Sequence, residues 1–364
     1  MLGKRKNWEK KVIATLAVIV LCGNRNFPYS VEKYQVQAAE RDVEEKTVEG
    51  LKYNYNVEDD YIMITGYTGE DRNLIVPDTI DGVKVKKICS EAFKDCEDLE
   101  TVKLSSNIEA IEDGAFSGCN NLKTIELPEG LIKLESLSFC ECDSLEKVVL
   151  PDTLKEIGHA AFAGCSSLES IELPKSLTQI DQMAFNSCSN LKDITIPDGI
   201  TIIAYSAFAG CINLEEITLP ENLTDIASLA FAGCSSLKNV NIPDKVERIR
   251  YAAFMSCKNL EKLKIPASVR EIDGGFTGCN NIKELTVADE NPIFDSRNNC
   301  NAIIETDKNK LIMAINDTII PNDIEIIGTG AFTTCSELSH IKLPDTVTTI
   351  EYRAFGGCKN LACK

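Results

Sequence analysis

One spacing governs this chain. Phe93, Phe116, Phe139, Phe162, Phe185, Phe208, Phe231 and Phe254 stand 23 residues apart, Phe276 arrives one residue early, and Phe332 and Phe355 resume the step after an interruption. Three residues after each comes a cysteine, from Cys96 to Cys358, and prolines keep the same beat from Pro128 to Pro266 and again at Pro321 and Pro344. Phased copies at a fixed period of this length are the signature of a stacked array, in which each unit is one turn of a solenoid. The length of 364 residues therefore needs no division into separate globules.

The unit 168–190 reads LESIELPKSLTQIDQMAFNSCSN. Ile171 and Leu173 alternate as in a short strand with one buried face. Pro174 has no N–H to extend a ladder, so it ends the strand and turns the chain. Leu177 and Ile180 form a second inward pair, Ala184 and Phe185 fill the interior, and Cys188 packs as a small apolar group. Roughly eight inward side chains cannot offset the ordering entropy of 23 residues unless neighbouring units cover them on both sides, so the sequence demands a β-rich solenoid.

The pattern LxxIxLPxxLxxIxxxAFxxCxx resembles the BspA-like leucine-rich repeat family over about residues 60–364. Segment 64–93 looks like the family's N-terminal entry module and 291–321 like the island these proteins carry between repeats. The resemblance implies a right-handed leucine-rich repeat solenoid of 23-residue coils, and a secreted or surface-attached protein engaged in adhesion to host proteins or other cells. On these grounds the chain divides into a signal peptide (1–38), a linker and small N-terminal β entry module (39–73), coils (74–287), an inserted island (288–320) and further coils (321–364) whose C-terminal end is uncapped.

Export is also read from the residues. A basic lead with Lys4, Arg5, Lys6, Lys10 and Lys11 precedes an eleven-residue apolar stretch, 12–22, broken only by Thr15 and too short for a spanning helix, and Val36-Gln37-Ala38 offers a small-residue exit. Cleavage there removes seven basic and two acidic residues, taking the net charge from −18 to about −23. So acidic a chain excludes an electrostatic grip on nucleic acid or an anionic membrane, and no membrane insertion is expected once the signal is gone.

Chemistry is sparse. The two histidines, His159 and His340, fall on distant coils, and no phosphate loop or nucleophile elbow occurs; no catalytic residue, cofactor or metal site is expected. The ladder cysteines read as buried thiols, because equivalent side chains one coil apart point in parallel, which suits a disulfide poorly. In the island, Asp289, Glu290, Asn291, Asp295, Asn298 and Asn299 match no calcium-loop spacing, and the segment reads as a protruding β-excursion. Acids such as Glu169, Glu172, Glu215 and Glu216 read as a solvated face.

Binding positions are the outward ones. One column runs Glu126, Val149, Glu172, Thr195, Thr218, Asn241, Lys264 and Lys342, drifting from acidic to basic. A second, two residues after the second-strand isoleucine, runs Ser136, His159, Gln182, Tyr205, Ser228, Tyr251, Thr329 and Tyr352. Exposed tyrosines bury a large rigid ring at small entropic cost, so Tyr205, Tyr251, Tyr352, His159, Glu172 and Lys264 are the candidate contacts; the alternative is that the tyrosines lie flat over neighbouring coils. The expected function is binding or adhesion to an extracellular protein of host matrix or cell surface, without catalysis. Two other readings are a targeting scaffold for a polysaccharide-acting enzyme and a structural surface rod. Self-association through an uncapped C-terminal coil is a further expectation.

Overall fold

Residues 45–361 are those the computed structural model describes; the expected signal segment and Cys22 lie outside them. Within them most units contribute two short strands, though the first strand expected at 168–173 does not form. The second strands, such as Glu156–Ile157, Gln179–Ile180, Ile202–Ile203, Asp225–Ile226 and Arg248–Ile249, carry the isoleucine of the pattern. They pair in parallel at the register the period dictates: Ile157 opposite Ile180, Ile203 opposite Ile226, Ile226 opposite Ile249. First strands do likewise, with Ile125 opposite Val148 and Ile194 opposite Ile217. Where Phe276 comes early the first ladder absorbs the deletion, pairing Leu263 with Leu285. After each first strand the proline carbonyl accepts the N–H three residues on, as from Leu154 to Pro151 at 3.1 Å and Leu177 to Pro174 at 3.0 Å, which closes the turn.

The interior is a stack of rings. Successive phenylalanines from Phe93 to Phe276 lie 4.9 to 5.6 Å apart in nearly parallel planes. Beside them runs the thiol ladder. From Cys119 to Cys279 each ladder Sγ donates to the phenylalanine carbonyl of the previous coil, at 3.0 Å for Cys119 to Phe93 and 3.2 Å for Cys211 to Phe185. All fourteen described cysteines are free, and those from Cys119 to Cys279 on the ladder are buried. Burial pushes the ladder thiols from Cys119 to Cys234 up, Cys211 to about 12.

At the N-terminal end Lys46–Val48, Leu51–Asn56 and Tyr61–Tyr67 form an antiparallel ribbon. The last of these pairs in parallel with Val83–Ile88, which opens the second-strand ladder by setting Ile88 against Ile111. The entry module thus covers the first coil with Leu51, Tyr53, Ile62 and Ile64.

The island corrects an expectation: it does not protrude. Ala302–Glu305 and Lys310–Ala314 form a hairpin buried on both sides. Ile303 and Met313 join the core of the preceding coils, whereas Ala302, Ile304, Leu311 and Ala314 join a separate core belonging to the coils that follow. Consecutive strand residues face opposite ways, so unbroken apolar runs, Ala302–Ile304 against Leu311–Ala314, serve two interiors at once. Asn291 is likewise spent internally: its amide donates to the Pro266 and Val269 carbonyls and accepts from the Ile293 and Phe294 N–H groups.

Candidate binding surface

The first-strand face is an ion-pair column. Residues one coil apart alternate in sign through most of its length, and Lys123 meets Glu100 at 2.8 Å, Lys192 meets Glu169 at 2.7 Å, Lys238 meets Glu215 at 2.7 Å and Lys283 meets Glu261 at 3.2 Å. Glu169 and Glu215, read from sequence as merely solvated, therefore have partners; Lys238 holds the Glu215 carboxyl below its usual range. Exposed pairs contribute about 0–1 kcal/mol each, but a slip of one coil would set like charge against like, so the column favours the observed register. Glu172 and Lys264 project from this face as expected, each exposed, and they are four coils apart.

The tyrosine column lies at the far end of the second strands, on the turn that leads into the phenylalanine. His159 and Tyr251 are exposed there and Tyr205 is half-buried. Tyr352, 70% exposed with the Arg353 guanidinium 5.1 Å from its ring centre, stands beyond the island. Sequence reasoning missed their companions. In coil after coil the next residue has positive φ, and at three of those positions it is large and apolar: Leu137 (φ 59), Met183 (φ 58) and Leu229 (φ 60). Other coils place Glu91, Gly114, Ala160, Ser206, Ala252, Gly274, Gly330 or Arg353 there. The amide of each large residue donates to the carbonyl of a column residue one coil on: Leu137 to His159 at 2.8 Å, Met183 to Tyr205 at 3.0 Å and Leu229 to Tyr251 at 3.0 Å. The intervening bonds join small or polar residues, Ala160 to Gln182 and Ser206 to Ser228. The edge is thus a row of three large pairs at every second coil, roughly 10 Å apart at the ~4.8 Å strand spacing. The signal that could have found them is the glycine at the same phase in Gly114 and Gly330.

Beside Tyr251 lies a second feature absent from the expectations. Asp225, 2% exposed, accepts Nε and Nη2 of Arg250 at 2.8 and 2.7 Å and Nε of Arg248 at 2.6 Å. Burial pushes its carboxyl up, but the bonds from Arg250 and Arg248 prevail and hold it below the usual range. The clasp fixes the backbone that carries Tyr251.

Elsewhere the chemistry is internal. Among the described residues no cluster of His, Cys, Asp and Glu could hold a metal ion. Of the island's oxygen donors, Asp295 is taken by Arg297, which also reaches Asp323 at 2.7 Å. His159 and His340 lie on different faces, His340 bonding only to the Ser339 hydroxyl in its neighbourhood at 3.0 Å. No helix among the described residues is long and apolar enough to cross a membrane. The six candidates thus fall in three places: His159, Tyr205 and Tyr251 together on the turn edge, Glu172 and Lys264 on the first-strand face, and Tyr352 past the island.

A model of the BspA type leucine rich repeat region matches residues 86–213, 178–304 and 309–363. Among solved structures, a leucine-rich repeat protein from Bacteroides ovatus is 25% identical with a TM-score of 0.70, over 87% of this chain and 81% of that one. The leucine-rich repeat protein of T. pallidum is 36% identical with a TM-score of 0.51, over 53% of this chain and 90% of that one. No curated protein matches the chain.

Proposed function

Given that the chain belongs to the BspA type leucine-rich repeat family, we propose that it is an exported, non-catalytic binding protein that grips a folded extracellular protein along the turn edge. The partner is a host matrix or cell-surface protein, as adhesion requires. The observation that carries this reading is the strained row. Any residue with a Cβ incurs a cost on the order of 1–3 kcal/mol at positive φ; Gly114, Gly274 and Gly330 avoid that cost at this position, whereas Leu137, Met183 and Leu229 accept it while carrying a large apolar side chain. Leu137, 40% exposed, gains little core burial in return. Strain kept by large apolar side chains that the core covers only in part points to contact with something else. Tyr205 and Tyr251, paired with Met183 and Leu229, supply the rigid anchors of such an interface.

The test is equilibrium binding of the full chain to an array of extracellular proteins, repeated with Tyr205→Ala/Tyr251→Ala. Saturable binding weakened at least about tenfold by the double substitution supports the reading; absence of any saturable partner, or indifference to the substitution, removes it.

A further inference from the structure

The first-strand ladder opens just past the island. By the period, 316–320 should pair with 339–343 as Lys262–Ile265 pairs with Glu284–Val287. Among the described residues, no backbone hydrogen bond and no ion pair crosses between these two segments. The ladder also thins at 168–173, yet there the Lys192 N–H reaches the Glu169 carbonyl at 3.0 Å and the two side chains pair as well. The cause past the island is visible. Thr318 donates to the Asn301 carbonyl at 2.5 Å and the Ile319 N–H to the Cys300 carbonyl at 3.1 Å, so the segment is tied back onto the island. What remains is a slot of about 650 Å³ between 316–322 and 337–344, within the ~300–1,000 Å³ typical of ligand clefts. Asn316 closes one end by accepting the Glu337 N–H at 3.2 Å.

We infer that this slot is a second binding site, which takes an extended peptide segment of a partner as an inserted strand. Of its two walls, 339–343 presents backbone that no ladder among the described residues uses, the requirement for strand addition. Its floor is apolar, with Leu338 buried and Ile341 half-buried, so alternate peptide side chains facing inward are apolar. Its rim is polarised: Asp317 and Glu337 are exposed at the closed end and Lys342 at the other. The complementary segment carries a cationic residue at the end that meets Asp317 and Glu337. This site is independent of the turn edge and does not rest on the function proposed for it.

The probe is a fluorescent peptide with the sequence of 258–265, KNLEKLKI, a natural first strand of this chain with a leading lysine. Titrated with the full chain, it should bind saturably. Hydrogen exchange of the amides in 339–342 should slow at least about tenfold, while the same peptide N-methylated at alternate amides should bind at least about tenfold more weakly. Asp317→Lys, at an exposed position, should weaken the parent peptide without lowering the melting temperature, and Tyr205→Ala/Tyr251→Ala should leave it unchanged. No saturation up to millimolar peptide, equal binding of the N-methylated form, or unaltered exchange in 339–342 would overturn the proposal. Loss of array binding in the tyrosine variant with peptide binding intact separates the two sites.

Discussion

The coils before the island and those after it obey one pattern and are not equally well supported. From Phe93 to Phe276 nine rings stack without a break, and every coil is covered on both sides. Beyond the island only Phe332 and Phe355 stack, 4.8 Å apart, over a small separate core, and Phe355 is half-exposed in the last described coil. The same residue type therefore has a different energetic weight on the two sides. In an array of this kind stability resides in contacts between neighbours rather than in the unit, and the comparison can be broken or sharpened by substitution.

The largest contrast is at the rings. Phe185→Ala should cost about 3–5 kcal/mol and weaken the main unfolding transition, whereas Phe355→Ala should cost about 1 kcal/mol and affect only an earlier, smaller transition; denaturant unfolding followed by circular dichroism checks both. A single cooperative transition in the parent chain would erase the distinction between the regions. Next come the arginine clasps. Asp225→Ala should lower the main transition by about 1–3 kcal/mol, discounted because Arg248 and Arg250 stay partly in water, while Arg297→Ala should lower only the smaller one. Asp225 and Asp295 both have depressed pKa values in the fold. Their stabilisation is complete above about pH 4 and is lost as acid protonates them, so denaturation midpoints measured downward from pH 5 should fall less in Asp225→Asn than in the parent.

Thiol chemistry gives a smaller contrast. Cys358, half-buried in the last described coil, should alkylate at least about tenfold faster than Cys119 to Cys279 on the ladder, as read by mass spectrometry of the native protein. The smallest effect belongs to strain. Leu137→Gly should raise stability by about 0.5 kcal/mol, since relief of positive φ slightly exceeds the entropy that glycine adds to the unfolded chain, while weakening partner binding.

Most of the architecture was legible because phase carries it: the Phe, Cys and Pro positions fix strand register, core and turn with no tertiary information. The island was misread because the unbroken apolar runs 302–304 and 311–314 do not show from sequence that two cores exist for them to serve. The ion-pair column was overlooked by reading Glu169 and Glu215 along the chain rather than against Lys192 and Lys238, 23 residues on. On the turn edge His159, Tyr205 and Tyr251 stood out by residue type. Leu137, Met183 and Leu229 did not, since a lone apolar residue in a turn is ordinary until its backbone angle is known. Asp225 gave no cue at all: its burial comes from two arginines on the next coil.

The hairpin that serves two interiors acts as a bulkhead. Fraying that starts at the far coils must halt at 302–314, because the residues facing the other way are anchored to a different compartment. A nick in the turns beyond the hairpin would therefore leave the longer stack, with its row of paired knobs, in place.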